Sequence, residues 1–418
     1  MKIALIGNTC NNNFALLRYF RDLGHEADLY LYSNEGFKDI NPIHNPEWDT
    51  WNIKNWERYI HRLPIPNGLE SVIGIPSKLK FPPRLDLIKK LFSKYDFCIG
   101  SGITPSIFWR MGRRLDIFYP YSTGIEWVNE SENNKKLKKF NFEWPFRYFV
   151  YKTQILGIKQ AKHVIISSQG INSDILKNKN IKYKSLHAPQ YYNLDAIPER
   201  PPTNYLSNII SKIECSEFNI FSFMRQLWVF RPDIYTLKTW ETLNKRNNWL
   251  IQGFRDFLNA TSVKNACLFL SRWGPDVSDS IELIKRLELE KFVVWMPLLP
   301  RREIGYLLTR AADLGVGEFV CSSGEPWGST GWECLATGTP FLESVNYTAD
   351  DFYNTIGYDL PPFMLNVQKE DDVVEHMINC YKNKSEWRRR AIDNKRWFDE
   401  NNGINLAKRW IDLLQTNQ

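Results

Sequence analysis

The segment Glu325-Pro-Trp-Gly-Ser-Thr-Gly-Trp-Glu333, continuing Cys-Leu-Ala-Thr-Gly-Thr-Pro340, holds the densest chemistry in the chain. Two carboxylates stand eight positions apart, and Gly324, Gly328 and Gly331 let the backbone approach a ligand closely. A helix is predicted to start at Ser329 or Thr330, and the first N–H groups of a helix have no partner within it. With the helix dipole they form an anion site. Glu333, in the first turns, is placed to accept hydrogen bonds from a vicinal diol such as that of ribose. Glu325 sits on the loop where a sugar ring would lie. Gly338 and Pro340 close the helix as cap and breaker.

An anion also needs cations. Arg225 lies just past a predicted strand, Asn219 to Phe223, and Lys245 opens KRNNWLIQGF at a predicted helix start. Arginine binds phosphate bidentately and lysine acts as a compact point charge. Arg231 is the rival for the second position. Pro297 and Leu298 follow the strand end Val294 to Met296, where either an apolar ligand wall or a buried strand end explains them. Glu318 reads as an ordinary loop carboxylate. In the first half, Gly7 and Asn8 open the loop after the first strand, and Glu126 ends the loop beginning at Pro120. His25, His163 and His187 have no partners at metal-ligand spacing.

The Glu325 to Glu333 segment resembles the Glu-x7-Glu motif of retaining glycosyltransferases of the GT-B fold, particularly glycosyltransferase family 4. The resemblance implies that Glu333 holds the ribose hydroxyls and Glu325 the donor sugar, with Trp327, Gly328, Ser329 and Thr330 lining the donor. It departs from the family's Gly-Phe at Pro326 and Trp327. The Lys245 segment is similar to the family's Lys-Gly-Asn-Asp-like stretch, with Arg246 in place of glycine. Arg225, Lys245 and Glu325 would then act in catalysis. Gly7, Asn8, Glu126, Pro297 and Leu298 would complete donor binding. The implied chemistry uses a nucleotide-diphosphate sugar as substrate, with neither cofactor nor metal. The implied acceptor is a glycan or lipid-linked glycan, as in polysaccharide or glycoconjugate synthesis.

These residues need a scaffold, and the alternation of short apolar runs with amphipathic segments supplies one. Lys2 to Ile6, the polar loop Asn8 to Asn13 and the segment Phe14 to Leu23 read as strand, loop and helix. The alternation restarts after the proline-rich stretch Pro189 to Pro202. It continues as strands Ala266–Ser271, Phe292–Met296, Asp313–Gly317 and Pro340–Glu343, with helices between. Asn34 to Pro83 has no sustained period and reads as an insertion. A helix is predicted from Ser385 to Leu414. The expected architecture is α/β, two doubly wound Rossmann-like domains facing each other across a cleft. Residues 1–193 would bind acceptor, 194–395 donor, and 396–418 would form a helix crossing back to the first domain.

Composition sets the outer bounds. At 418 residues the chain exceeds one ordinary core, and its 43% hydrophobic and 14% aromatic content suits a folded protein. No run approaches the ~20 apolar residues of a membrane span, and no signal peptide is evident. Seven scattered cysteines suggest neither disulfide framework nor zinc cluster, hence a reducing, cytoplasmic setting. The net charge of +7 suits phosphate ligands or an anionic membrane. The lysine-rich stretch before FNFEWPFRYFVYK could meet such a membrane at the inner face, or be a charged loop before a core helix. No nucleic-acid reader motif is present. A nucleotide-sugar epimerase, a phosphorylase of the same fold and a catalytically silent sugar-nucleotide-binding homologue are the alternatives. A dehydrogenase is disfavoured because the first loop lacks G-x-G-x-x-G.

Overall fold

The computed structural model describes residues 1–33, 42–65, 85–120, 125, 144–166, 171–189, 191–319 and 327–416. The chain forms two compact units, Met1–Tyr192 with Asn402–Gln418, and Asn193–Asn401.

The described residues of the first unit form a seven-stranded parallel sheet. Its strands are β1 (Lys2–Ile6), β2 (Glu26–Leu31), β3 (Ile60–Arg62), β4 (Phe97–Gly100), β5 (Ile117–Phe118), β6 (His163–Ile166) and β7 (Lys184–Ser185). Their order is β3-β2-β1-β4-β5-β6-β7. Alternate residues of β1 enter opposite layers: Ala4 and Ile6 pack with Phe92, Phe108 and Val164, Ile3 and Leu5 with Phe14, Phe20 and Trp410. Burial on both faces explains why these strands read as unbroken apolar runs. Each such Phe or Leu contributes about 1.5–3 kcal/mol.

The stretch read as an insertion also builds the sheet, since β3 pairs in parallel with β2 through Leu29 and Ile60. A three-residue strand is too short to show a period, which is why the pattern missed it. Helix α1 (Asn12–Asp22) fastens this stretch from beneath. Its Arg18 pairs with Asp49, both side chains essentially without solvent. The guanidinium also lies 4.2 Å from the Phe14 ring centroid and 4.3 Å from that of Tyr192. Helix α2 (Trp144–Gln160) covers the sheet further along.

The second unit, in its described residues, has six parallel strands: β8 (Phe218–Ser222), β9 (Ala266–Ser271), β10 (Val293–Met296), β11 (Leu314–Val316), β12 (Phe341–Glu343) and β13 (Leu365–Asn366). The order β10-β9-β8-β11-β12-β13 reverses direction between β8 and β11. In such sheets ligands bind outside the carboxyl ends of the strands at that switch point. Helices α3 (Asn247–Thr261), α4 (Arg301–Arg310) and α5 (Ser329–Thr337) start at this edge. The two parallel-sheet α/β units match the expected fold class.

The single helix predicted from Ser385 to Leu414 is two, α6 (Lys384–Asn401) and α7 (Gly403–Gln415). Asn402 breaks the run at φ −114°, ψ −69°. Asn401, Asn402 and Gly403 are poor helix formers in sequence, so the break falls where propensity is weakest. Helix α6 belongs to the second unit and α7 to the first.

Candidate functional site

The loop after β8 is held from the neighbouring strand. The Gln226 N–H donates to Trp273 O (2.9 Å), and Asp276 N–H donates to Gln226 O (3.2 Å). Gly274, at φ 117°, lets the two loops meet, because a side chain there would overlap the Gln226 backbone. Fully buried Asp276 accepts from Trp228 N–H (2.6 Å) and Val229 N–H (2.8 Å) and pairs with Arg231. Arg231 is also 3.4 Å from Asp279, so its charge is spent on the loop. Arg225 differs. Half-exposed past β8, it has no ion-pair partner among the described residues, and its guanidinium lies 5.9 Å from the Trp273 ring centroid.

Lys245 is anchored by its backbone, whose N–H donates to Leu227 O at 2.7 Å, while Leu227 N–H donates to Asn247 Oδ1 at 3.0 Å. Its ammonium pairs with Glu318. Arg246 takes the left-handed conformation (φ 52°) as N-cap of α3, the conformation glycine adopts most cheaply. Its guanidinium lies 4.3 Å from the Trp249 ring centroid.

Glu318 follows β11, and its backbone N–H donates to Glu343 Oε1 at 2.8 Å. Glu343 ends β12 fully buried, and its Oε2 has no hydrogen-bond partner among the described residues. Burial, and then the nearby Glu318 carboxylate, push the Glu343 carboxyl well above the usual range. Gly317 and Gly331 make room for it: a Cβ at Gly317 would overlap Oε2, and one at Gly331 would lie 2.7 Å from it. Gly328 is the N-cap of α5, with no side-chain cap and no acidic residue in the first turn. A Cβ at Gly328 would lie 2.7 Å from the Glu318 carboxyl carbon. Ser329 is exposed and Thr330 buried.

Glu333, nearly buried on α5, accepts from Arg301 Nε at 3.1 Å. Arg301 opens α4 just beyond the loop holding exposed Pro297 and half-buried Leu298. Trp327 is buried in an aromatic cluster, stacked on Phe352 (centroids 5.5 Å) and tilted against Trp332 (4.8 Å). Glu325 and Glu126 lie outside the described residues. In the first unit Gly7 has φ 85° and donates to Tyr30 O at 2.9 Å. Asn8 is fully buried and spent locally: its amide donates to Asn11 Oδ1 (2.7 Å) and His44 O (2.9 Å), and its Oδ1 accepts from Phe14 N–H (3.0 Å).

The structure thus brings Lys245, Glu318 and Gly328 together, and sets Arg225 in the loop after β8, the strand that pairs with the β11 leading to Glu318. Sequence reading missed Arg301 and the part played by Glu343. A cation in the first turn of a helix opposes the dipole, and a carboxylate closing an apolar strand is costly to bury; both were available signals.

No protein-family model matches the chain, and no curated protein matches its sequence. Solved structures do match. HepE of Anabaena, crystallised with UDP and glucose, aligns over 99% of this chain and 98% of its own at 12% identity and TM-score 0.58. TarM of S. aureus, as a variant bound to fondaparinux, α-GlcNAc-glycerol and UDP, aligns over 100% of both chains at 11% identity and TM-score 0.56. Sucrose-phosphate synthase of Thermosynechococcus elongatus aligns over 99% of this chain and 98% of its own at 13% identity and TM-score 0.53. The fold is GT-B. At these identities the likeness carries architecture alone.

Proposed function

We propose that the protein is a retaining glycosyltransferase that moves a sugar from a nucleoside-diphosphate donor to a glycan or lipid-linked glycan. The observation that carries this reading is the placement of Arg225, Lys245 and the uncapped start of α5 at the carboxyl edge of one switch point. A diphosphate there meets two cations and a helix end, groups that stabilise charge growing on a departing diphosphate. In this reading those groups, rather than a metal ion or cofactor, meet the leaving charge. Glu333, already oriented by Arg301, takes the ribose hydroxyls, and Glu325 the sugar. The first unit receives the acceptor. Front-face attack, with the leaving phosphate taking the acceptor proton, gives retention without a protein nucleophile.

A lipid-linked acceptor gains support from α2. It exposes Tyr148 and Phe149, with Lys152 Nζ 5.3 Å from the Tyr148 ring centroid and the Arg110 guanidinium 5.9 Å from that of Phe149. Cations beside exposed rings suit the surface of an anionic membrane. Among the described residues no helix is long and apolar enough to cross one.

Thermal unfolding with UDP, ADP, GDP and CDP tests the donor. A ligand at about 100 times its Kd should stabilise the protein by about 2.7 kcal/mol. No response to any of the four would defeat the reading. Sugar transfer, followed by NMR of the anomeric proton, then separates a retaining transferase from an inverting one and from binding without turnover.

A further inference from the structure

Both features assigned to the donor's phosphates are already engaged by one side chain. Glu318 holds the Lys245 ammonium, and its carboxyl group lies against Gly328, the N-cap of α5. That cap has no side-chain acceptor of its own and no acidic residue in the turn that follows. A carboxylate therefore sits where an anion is favoured by a lysine and by a helix dipole at once. Neither partner is deeply buried, with side-chain exposures of 17% for Lys245 and 29% for Glu318, so the pair can open toward solvent.

The backbone on either side of this pair is fixed. Lys245 N–H is tied to Leu227 O, Glu318 N–H to Glu343 Oε1, and Ser344 N–H to Glu318 O at 3.1 Å. Motion is left to the two side chains. Glu343 supplies a second, independent feature. Its fully buried Oε2 has no partner among the described residues and points beneath the first turn of α5, in space that Gly317 and Gly331 leave open. Held in its neutral form by burial, it adds no charge behind Glu318, so the exchange at Lys245 is between Glu318 and the ligand.

We infer that Glu318 is an internal competitor for the donor's diphosphate: it holds Lys245 in the ligand-free protein, and the β-phosphate displaces it. This rests on the proposed donor site. Phosphate carries more charge than a carboxylate and more acceptor oxygens, so it wins the lysine once the nucleoside is seated. A ligand with no phosphate gains nothing from the exchange. The device therefore lowers affinity for diphosphates in particular, by the fraction of molecules in which Lys245 is not free. It also returns the lysine to Glu318 as the product leaves, which favours release.

The experiment is calorimetric titration of the protein with whichever of UDP, ADP, GDP and CDP binds the wild type tightest, with its nucleoside as control. Glu318→Gln removes the competing charge and keeps the side-chain volume. It is expected to tighten the diphosphate about tenfold and leave the nucleoside unchanged. Glu318→Ala, as a second variant, is expected to do the same, with circular dichroism reporting the fold of both. Unchanged or weaker diphosphate binding in the variants overturns the inference, as does equal tightening of the nucleoside. A wild type that binds none of the four diphosphates defeats the proposed function itself, a result visible before any variant is made.

Discussion

The two units share a framework and differ in what they do with its switch point. In the first, the crevice between β1 and β4 is closed by the chain itself: Ser101 donates to Ile6 O from both its N–H and its hydroxyl, at 3.1 Å each. Asn8, Asn11 and Asn13 spend their amides on neighbouring backbone and on each other. Left-handed Cys10 and Asn11 (φ 51° and 58°) let the loop curl tightly enough for this. In the second, the equivalent crevice between β8 and β11 leaves a half-exposed arginine, a lysine on a displaceable partner and an uncapped helix. One doubly wound sheet satisfies its own loop; the other, in the proposed function, offers its groups to a ligand. The difference lies in side-chain chemistry, because strand order and hand are common to both.

Four substitutions test that contrast. The largest effect is expected from Asp49→Ala in the first unit, which takes the carboxylate away from the fully buried Arg18 guanidinium. Chemical denaturation should show a loss of about 3–5 kcal/mol. Arg225→Ala should cost the diphosphate about 10–100-fold in affinity, roughly 1.4–2.7 kcal/mol, while the melting temperature stays near that of the wild type. An arginine variant that melts early with affinity intact would make Arg225 a structural residue like Arg18. Asn8→Ala should do the converse, lowering stability by about 1–3 kcal/mol with diphosphate affinity unmoved, because the buried amide supports only the loop. A loss of nucleotide binding there would draw the first unit's loop into the donor site.

The smallest effect is expected at Glu343, and it depends on pH. Its carboxyl group lies well above the reference 4.5 in the folded protein, so the native state holds a proton that the unfolded chain releases. The native state's advantage is complete below the unfolded value and shrinks as pH rises toward the folded one. Glu343→Gln cannot ionise. Its stability should match the wild type near about pH 4 and exceed it progressively between about pH 5 and 8, read as the difference between two urea curves. A gap that is flat with pH would mean that Glu343 is not held protonated.

The elements were legible because the central strands are buried on both faces and read as short apolar runs; β1, β8 and β9 fall within a residue of their expected bounds. The edge strand β3 was not legible, since three residues cannot display a period. The helix break at Asn402 was visible only as weak propensity. Within the candidate site, Arg225 and Lys245 were proposed from their positions after a strand and before a helix, and the structure places them after β8 and before α3. Glu318 was underrated, because what gives it a role is a lysine 73 positions away, a distance that no local pattern spans. Trp327 read as a ligand contact from its place in the motif, whereas its ring is packed among Trp332, Phe352 and Trp397.

The interruption at Asn402 reaches beyond helix geometry. The polypeptide leaves the first unit after Tyr192 and re-enters it only for its last stretch, where Trp410 packs on the β1 layer and its indole donates to His187 O at 2.6 Å. During synthesis the opening half must therefore wait, one apolar face unfilled, until α7 has been made. A stop codon at Gly403 would remove α7 and strand a unit that began folding first.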